Sequence, residues 1–141
     1  GQCTADLEPV TVDHQQNWFA DHDADHFPIY VDDDGAGVVG WCSLSAYRSG
    51  RAALRHTAEI SYYVAAAHQR RGVASRLVDH AIADGPRLHI KSLFAILIDA
   101  NVDSAQLLVK RGFVEWGHMP NILDIGGEEY GHLYLGKRIA D

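Results

Sequence analysis

The segment between residues 57 and 100 constrains the fold more than any other part of the chain. Residues 57–65 (TAEISYYVA) alternate between polar and apolar side chains, which is typical of a strand with one buried face. Residues 73–84 then carry apolar side chains at helical spacing. Residues 92–100 (SLFAILIDA) form a nearly continuous apolar run, as expected of a buried strand. This order of elements predicts one sheet with helices packed on its faces.

The rest of the chain adds strands and helices of the same kind. The Asp- and Gly-rich stretch at 32–37 predicts a turn between two strands, and Gly40 indicates a bulge in the second of them. Strands are predicted at 28–31, 38–47, 113–119 and 130–138, and helices at about 11–21 and 101–111. The predicted class is a mixed α/β (α+β) fold built on a single sheet.

Composition narrows the function. The 141 residues suit a single domain over 1–141, and the formal net charge of −7 argues against a nucleic-acid partner. No apolar run approaches the roughly 20 residues of a membrane span. The two cysteines indicate no disulfide framework, so a reducing cytoplasm is the expected location.

The stretch HQRRGVAS, residues 68–75, is the first candidate site. A helix beginning here presents unpaired backbone N–H groups, Gly72 lets the backbone approach a ligand, and the preceding arginines suit a phosphate. Together these features predict a pyrophosphate cradle. The alternative is a solvated basic start to an amphipathic helix, although basic residues are unfavourable at that end.

Three further positions carry candidate chemistry, each with a structural alternative. Glu59, one strand before the cradle, is a candidate general base or a residue on the wet face of its strand. Asn101 is a candidate ligand contact or the cap of the helix that contains Ser104 and Lys110. Arg48 and Arg55 are candidates to bind a substrate carboxylate or an oxyanion, or are ordinary loop charges.

The nine histidines do not point to a metal. The acidic stretch DHDADH, residues 21–26, resembles a calcium loop but has His26 where that loop needs glycine. His118 and His132 are interpreted as strand residues with satisfied side chains rather than as catalysts. We therefore predict no metal.

The hexapeptide QRRGVA, residues 69–74, resembles the Gln/Arg-x-x-Gly-x-Gly/Ala signature of the GNAT superfamily of acetyl-CoA-dependent N-acetyltransferases. With RHTAEISYYV before it and NVDSAQLLVKRGFVEWGHM after it, the chain resembles the phosphinothricin and methionine sulfoximine N-acetyltransferase branch. The resemblance extends from about Leu7 to Arg138. It implies a mostly antiparallel sheet with helices on both faces, acetyl-CoA as co-substrate and a homodimer.

The resemblance also implies roles for individual residues. Backbone amides of the cradle would bind the pyrophosphate of CoA, and Tyr63, Val64 and Asn101 would lie along the pantetheine arm. Glu59 would be the general base. The implied cofactor contacts are Tyr63, Val64, Arg71, Gly72, Val73, Ala74, Ser75, Asn101, Ser104 and Lys110.

The chain departs from the family pattern at two places. Members of this branch often carry His or Tyr where this chain has Leu108, which affects how the leaving thiolate is protonated. The family's first strand and helix are also expected to be missing from this chain.

The interpretation is acetyl transfer from acetyl-CoA to the primary amine of a small amino-acid-like substrate, of the phosphinothricin or methionine sulfoximine type. Two alternatives stay open. One is a non-catalytic CoA-binding or dimerisation module. The other is an N-acetyltransferase that acts on a protein N-terminus or an antibiotic amine.

Overall fold

The structure is a computed structural model, and it describes residues 27–33, 35, 37–48, 50–69 and 72–140. Three expectations lie outside these residues. They are the predicted helix at 11–21, the acidic stretch at 21–26 and the arginines at 70 and 71.

The described residues form six strands and two α-helices. The strands are β1 (Ile29–Asp33), β2 (Val38–Ala46), β3 (Thr57–Val64), β4 (Ser92–Ile98), β5 (Val114–Ile125) and β6 (Glu128–Arg138), and the helices are α1 (Val73–Asp84) and α2 (Val102–Lys110). Short 3₁₀ turns occupy Ala52–Leu54, Ala66–His68 and Pro86–Leu88. The strands form one mixed, mostly antiparallel sheet in the order β1-β2-β3-β4-β6-β5. The predicted fold class is therefore confirmed.

The described chain divides into two compact units. The first unit comprises the described residues within 27–93 together with 138–140, and the second comprises Phe94–Lys137.

In the first unit, β1, β2 and β3 pair in antiparallel order. Gly40 lies opposite Asp32 on β1 and opposite Val64 on β3. The register shifts next to this position, because Asp33 pairs with Val38 and leaves Val39 as the extra residue. The bulge predicted from Gly40 is therefore present, one residue away.

Helix α1 packs on the same three strands through its apolar face. Val73, Leu77, Val78 and Ala81 are buried along it. Gly40 is what permits this packing at the start of the helix, because a Cβ there would lie 2.8 Å from Val73 Cγ1. At the other end, the Tyr30 hydroxyl donates a hydrogen bond to Asp84 at 2.6 Å and ties β1 to the helix.

In the second unit, α2 follows β4 directly, and β5 and β6 form a long hairpin. The predicted helix at 101–111 is found as Val102–Lys110; its residue Leu108 and Phe113, which follows the helix, are fully buried. The hairpin differs from the prediction, since β5 continues to Ile125 rather than ending at Met119. Pro120 cannot donate a ladder hydrogen bond, and the strand passes it by a bulge on its way to the Gly126-Gly127 turn.

Candidate active site

Glu59 is the third residue of β3 and lies on the face opposite to α1. The alternation of the strand is clear, because Ala58, Ile60, Tyr62 and Val64 are buried while Glu59 is half-buried. In the register Glu59 lies opposite Ser45 of β2. Partial burial of the carboxylate raises the pKa of Glu59 above its ordinary value. A half-buried carboxyl group with a raised pKa is the kind of group that accepts a proton near neutral pH.

Tyr63 lies on the same face as Glu59, toward the end of β3. Its ring stacks on Trp41 of β2 with the centroids 6.4 Å apart. The side chain of Tyr63 is 39% exposed. The pair therefore forms a flat aromatic surface that a flexible apolar chain could contact.

Val64 ends the strand and its backbone points away from β2. The N–H of the next residue, Ala65, donates to Val39 O at 2.8 Å. Because successive residues of a strand direct their backbone groups to opposite edges, the N–H and C=O of Val64 face the other edge. The side chain of Gln69 donates to that carbonyl at 3.3 Å.

The role of Gln69 was not predicted, although the residue belongs to the QRRGVA motif. Its hydrogen bond to Val64 closes the turn that leads from β3 toward α1. Only the fold brings the two residues together, because the bond depends on the turn between them. The motif could have suggested that Gln69 matters, but not which group it contacts.

The N-terminus of α1 has the form expected of an anion site. Gly72 is its N-cap in the left-handed conformation (φ 78°); among the described residues no side chain provides a capping hydrogen bond, and no acidic residue lies in the first turn. Val73 is buried, while Ala74 and Ser75 are half-buried. The positive end of the helix dipole is thus left without a neutralising carboxylate in its own first turn. Arg71 lies outside the described residues.

The two candidate substrate-binding arginines lie in the connection between β2 and β3. Arg48 places its guanidinium 5.1 Å from the ring centroid of Tyr47. Arg55 donates to Ala52 O at 2.7 Å. Tyr47 N–H donates to Thr57 O, so this connection adjoins the beginning of β3.

In the first unit, the candidate substrate-binding and cofactor-binding groups thus lie at opposite ends of β3. The arginine connection precedes Thr57, and the turn to the α1 N-terminus follows Val64. A strand of eight residues spans roughly 25 Å at about 3.3 Å per residue. Glu59 lies between the two ends.

The second unit holds the remaining candidates. Asn101 is the N-cap of α2, and its side-chain oxygen accepts a hydrogen bond from Ser104 N–H at 3.2 Å. Ser104 is buried, and Lys110 is exposed at the last position of the helix. Asn101 therefore caps α2, which is the structural role that the sequence allowed as an alternative to a ligand contact. Leu108 is fully buried and contributes no polar group.

Two further features concern metals and membranes. In the part of the chain that the structure describes, no group of three or more His, Cys, Asp or Glu side chains is arranged to hold a metal ion. Neither described helix is long and apolar enough to cross a membrane.

The sequence is similar to that of known proteins. Residues 2–113 match the acetyltransferase (GNAT) family. The chain belongs to this family.

Two curated relatives share much of the sequence. A Bacillus subtilis protein, YwnH, whose name gives phosphinothricin acetyltransferase as a provisional assignment, is 38% identical over 97% of this chain and 83% of its own. A Salmonella typhimurium protein named L-methionine sulfoximine/L-methionine sulfone acetyltransferase is 27% identical over 80% of this chain and 66% of its own.

A solved structure supports the fold. The crystal structure of a GNAT superfamily phosphinothricin acetyltransferase from Sinorhizobium meliloti, in complex with acetyl-CoA, superposes with a TM-score of 0.90 at 22% identity and covers 99% of this chain and 76% of that one. The resemblance to this family and branch is thereby confirmed, as is the prediction that the chain is an N-acetyltransferase.

Proposed function

We propose that the protein transfers the acetyl group of acetyl-CoA to the primary amine of a small amino-acid-like substrate of the phosphinothricin or methionine sulfoximine type. The names of the two curated relatives support this substrate class. The whole chain, 1–141, would act as a single acetyltransferase domain.

The observation that carries the proposal is the order of groups along β3. A half-buried Glu59 with a raised pKa lies between an arginine-bearing connection and an uncapped helix N-terminus. This order would suit a transferase in which an anionic acceptor and a pyrophosphate occupy opposite ends of the strand and the amine lies near the carboxylate.

Acetyl-CoA is proposed as the co-substrate, and the relative from S. meliloti was crystallised with it. Backbone amides from Arg71 to Ser75 would bind the pyrophosphate, since the α1 N-terminus offers unpaired N–H groups and a positive dipole end. The Trp41–Tyr63 surface would contact the pantetheine arm. Asn101, Ser104 and Lys110 are retained as cofactor contacts on the family resemblance alone. No metal is included in the proposal.

The proposed chemistry is a direct transfer. The substrate ammonium, with a pKa of about 8 for an α-amino group, loses a proton to Glu59 directly or through water. The amine attacks the thioester carbon, and the acetyl group passes from sulfur to nitrogen. The N–H of Val64, which faces away from β2, would donate to the carbonyl oxygen as negative charge develops there. The products are the N-acetyl compound, a proton and CoA thiol.

Arg48 and Arg55 are proposed to select acceptors that carry a carboxylate. Guanidinium groups bind carboxylates in bidentate fashion, and both arginines are exposed. The Arg55 bond to Ala52 O uses only one of five N–H donors and leaves the others for a ligand.

Two properties of the whole protein belong to the proposal. A homodimer and a cytoplasmic location are expected from the family resemblance and from the cysteine content. Sedimentation analysis of the purified protein would test the first, and a monomer at micromolar concentration would contradict it.

The experiment that tests the function is a panel of acceptors assayed by release of CoA thiol from acetyl-CoA. Methionine sulfoximine and phosphinothricin should be used best, methionine less well and a simple alkylamine hardly at all. An alanine-terminated peptide and an aminoglycoside represent the other acceptor classes. Preference for either of these would overturn the substrate class, and binding of acetyl-CoA without thiol release from any acceptor would indicate a non-catalytic module.

The proposed selection of acceptors that carry a carboxylate is tested by removing the positive charge of each arginine. Arg48→Gln and Arg55→Gln should each raise the KM for amino-acid acceptors by about tenfold, the worth of roughly 1.4 kcal/mol. Lys91→Gln, which removes a cation from another exposed position of the same unit, is the matched control. An alkylamine that is used as well as the amino acids would contradict the role of both arginines.

A further inference from the structure

A side-chain hydrogen bond between His118 and Asp99 lies in the second unit. His118 Nε2 is 2.9 Å from Asp99 Oδ2. The histidine lowers the pKa of the Asp99 carboxyl, which therefore stays ionised. Because Asp99 engages Nε2, Nδ1 is the ring nitrogen that a further proton donor or acceptor would have to use. A carboxylate that orients an imidazole in this way is a common arrangement in proton transfer.

The backbone around this pair is shaped to hold it. A Cβ at Gly131 of β6 would lie 2.6 Å from Asp99 Oδ2 and would also collide with the backbone of Met119 and Pro120. The N–H of Asp99 donates to Gly131 O at 2.9 Å. Only glycine therefore allows the carboxylate and the two strands to meet here.

A bulge in β5 lies next to His118 in sequence. The register between β5 and β6 shifts between Met119 and Leu123, and Asn121 within the shift has a positive φ of 56°. Bulges re-aim neighbouring side chains and are frequent beside active sites, where strained residues also occur. An ordinary surface ion pair contributes little to stability. The side chains of His118 and Asp99 are 43% and 30% exposed, so stability alone does not explain a glycine and a bulge at this pair.

The position of Asp99 connects the pair to the proposed cofactor contacts. Asp99 follows the last residue of β4, and Asn101, the N-cap of α2, comes two residues later. The N–H of Asn101 donates to Ile98 O, so these residues form one tight turn at the carboxyl end of β4. His118 is thus held at the same turn as the residue that the family resemblance assigns to the pantetheine arm.

Against the sequence interpretation of His118 as a strand residue with a satisfied side chain, we infer that His118, oriented by Asp99, is a proton-transfer residue that protonates the departing thiolate of CoA. The inference rests on the proposed function. When the tetrahedral intermediate collapses, the C–S bond breaks and its electron pair stays on sulfur. The imidazolium of His118 gives its proton to that sulfur, and the neutral imidazole takes up another proton from solvent before the next turnover. The buried, apolar Leu108 cannot supply this proton.

Three polar side chains lie close to His118 in this unit. Asp99 contacts it directly, and His132 and Tyr134 of β6 flank Leu133, which pairs with His118 in the register. The ring of His132 packs edge-on against Tyr134 with the centroids 6.3 Å apart.

The test replaces His118 by glutamine. The glutamine amide can still donate a hydrogen bond to Asp99, so the contact is kept while the titrating group is lost. We expect His118→Gln to lower kcat by about 100-fold and to abolish the fall of kcat at alkaline pH that deprotonation of a general acid produces. The dissociation constant of acetyl-CoA and the melting temperature should stay unchanged. His132→Gln on the neighbouring strand is the control and should keep the wild-type pH profile.

A second variant tests the role of the carboxylate. Asp99→Asn retains an acceptor for His118 but loses the charged partner that orients the imidazole, so kcat should fall while the dissociation constant of acetyl-CoA stays unchanged. Wild-type kcat and pH profile in His118→Gln would overturn the inference, as would equal losses in the two histidine variants. A lower melting temperature with an unchanged pH profile would reduce the pair to a structural contact. Failure of the wild-type protein to transfer acetyl to any amine would instead overturn the proposed function.

Discussion

At the scale of single residues, Glu59 shows how position determines chemistry. A glutamate on the wet face of a strand would be an ordinary solvated carboxylate. Here partial burial on β3 raises its pKa, so the proton is held more tightly than in the unfolded chain. Such a group gains strength as a base, and ionising it works against the stability of the fold.

Replacement of this carboxylate tests both consequences. Glu59→Gln should lower turnover at neutral pH by about 100-fold, the usual contribution of a positioned base. Wild-type activity should rise with pH as Glu59 ionises, and the variant should lack this limb and recover partly at alkaline pH, where the amine deprotonates unaided.

The Glu59→Gln substitution should not reduce the stability of the fold, although it lowers turnover. A raised carboxyl pKa reduces stability as the pH rises from the unfolded pKa through the folded one. Above this window the neutral glutamine should therefore be at least as stable as the wild type in thermal unfolding. Glu115→Gln removes an exposed carboxylate of β5 and serves as the control. Unchanged turnover in Glu59→Gln would remove the residue from the mechanism.

At the scale of elements, the proposed cofactor site depends on how closely α1 approaches the sheet. Gly40 of β2 lies under the first turn of α1, with Val73 and Leu77 above it. A methyl group at this position would also lie 3.0 Å from the backbone oxygen of Tyr63. The bulge beside Gly40 and the N-terminus of α1 therefore depend on the same small residue.

Gly40→Ala should displace the start of α1 from β2 and β3. We expect a loss of about 1–3 kcal/mol in the free energy of unfolding, as for other overpacked sites, and weaker binding of acetyl-CoA, measured by calorimetry. Gly117→Ala is the matched control, because its Cβ would meet Tyr134 at 3.9 Å, an ordinary contact. Equal effects of the two substitutions would show that Gly40 does not position the helix.

At the scale of the whole molecule, local sequence patterns predicted the strands and helices, whereas contacts between residues distant in sequence were not predicted. The alternation of residues 57–64 and the apolar spacing of α1 depend only on neighbours in sequence, so β3 and α1 were predicted correctly. The contact of His118 with Asp99 joins residues 19 apart and depends on the register of a hairpin, which sequence periodicity does not specify. The length of β5 was wrong because proline usually ends a strand, whereas an edge strand can pass it by a bulge.

Binding of acetyl-CoA should be visible in the stability of the protein as a whole, because a ligand that binds only the folded state shifts the unfolding equilibrium. At a concentration 100 times its dissociation constant the gain is about 2.7 kcal/mol. For a chain of this length that corresponds to a rise of roughly 5 to 10 °C in melting temperature. Gly72→Trp should abolish the rise, since an indole would fill the backbone cradle at the α1 N-terminus. Gly72→Asn should largely retain it, because asparagine tolerates the positive φ of 78° found there. A folded Gly72→Trp protein that acetyl-CoA still stabilises by the full amount would show that the pyrophosphate binds elsewhere.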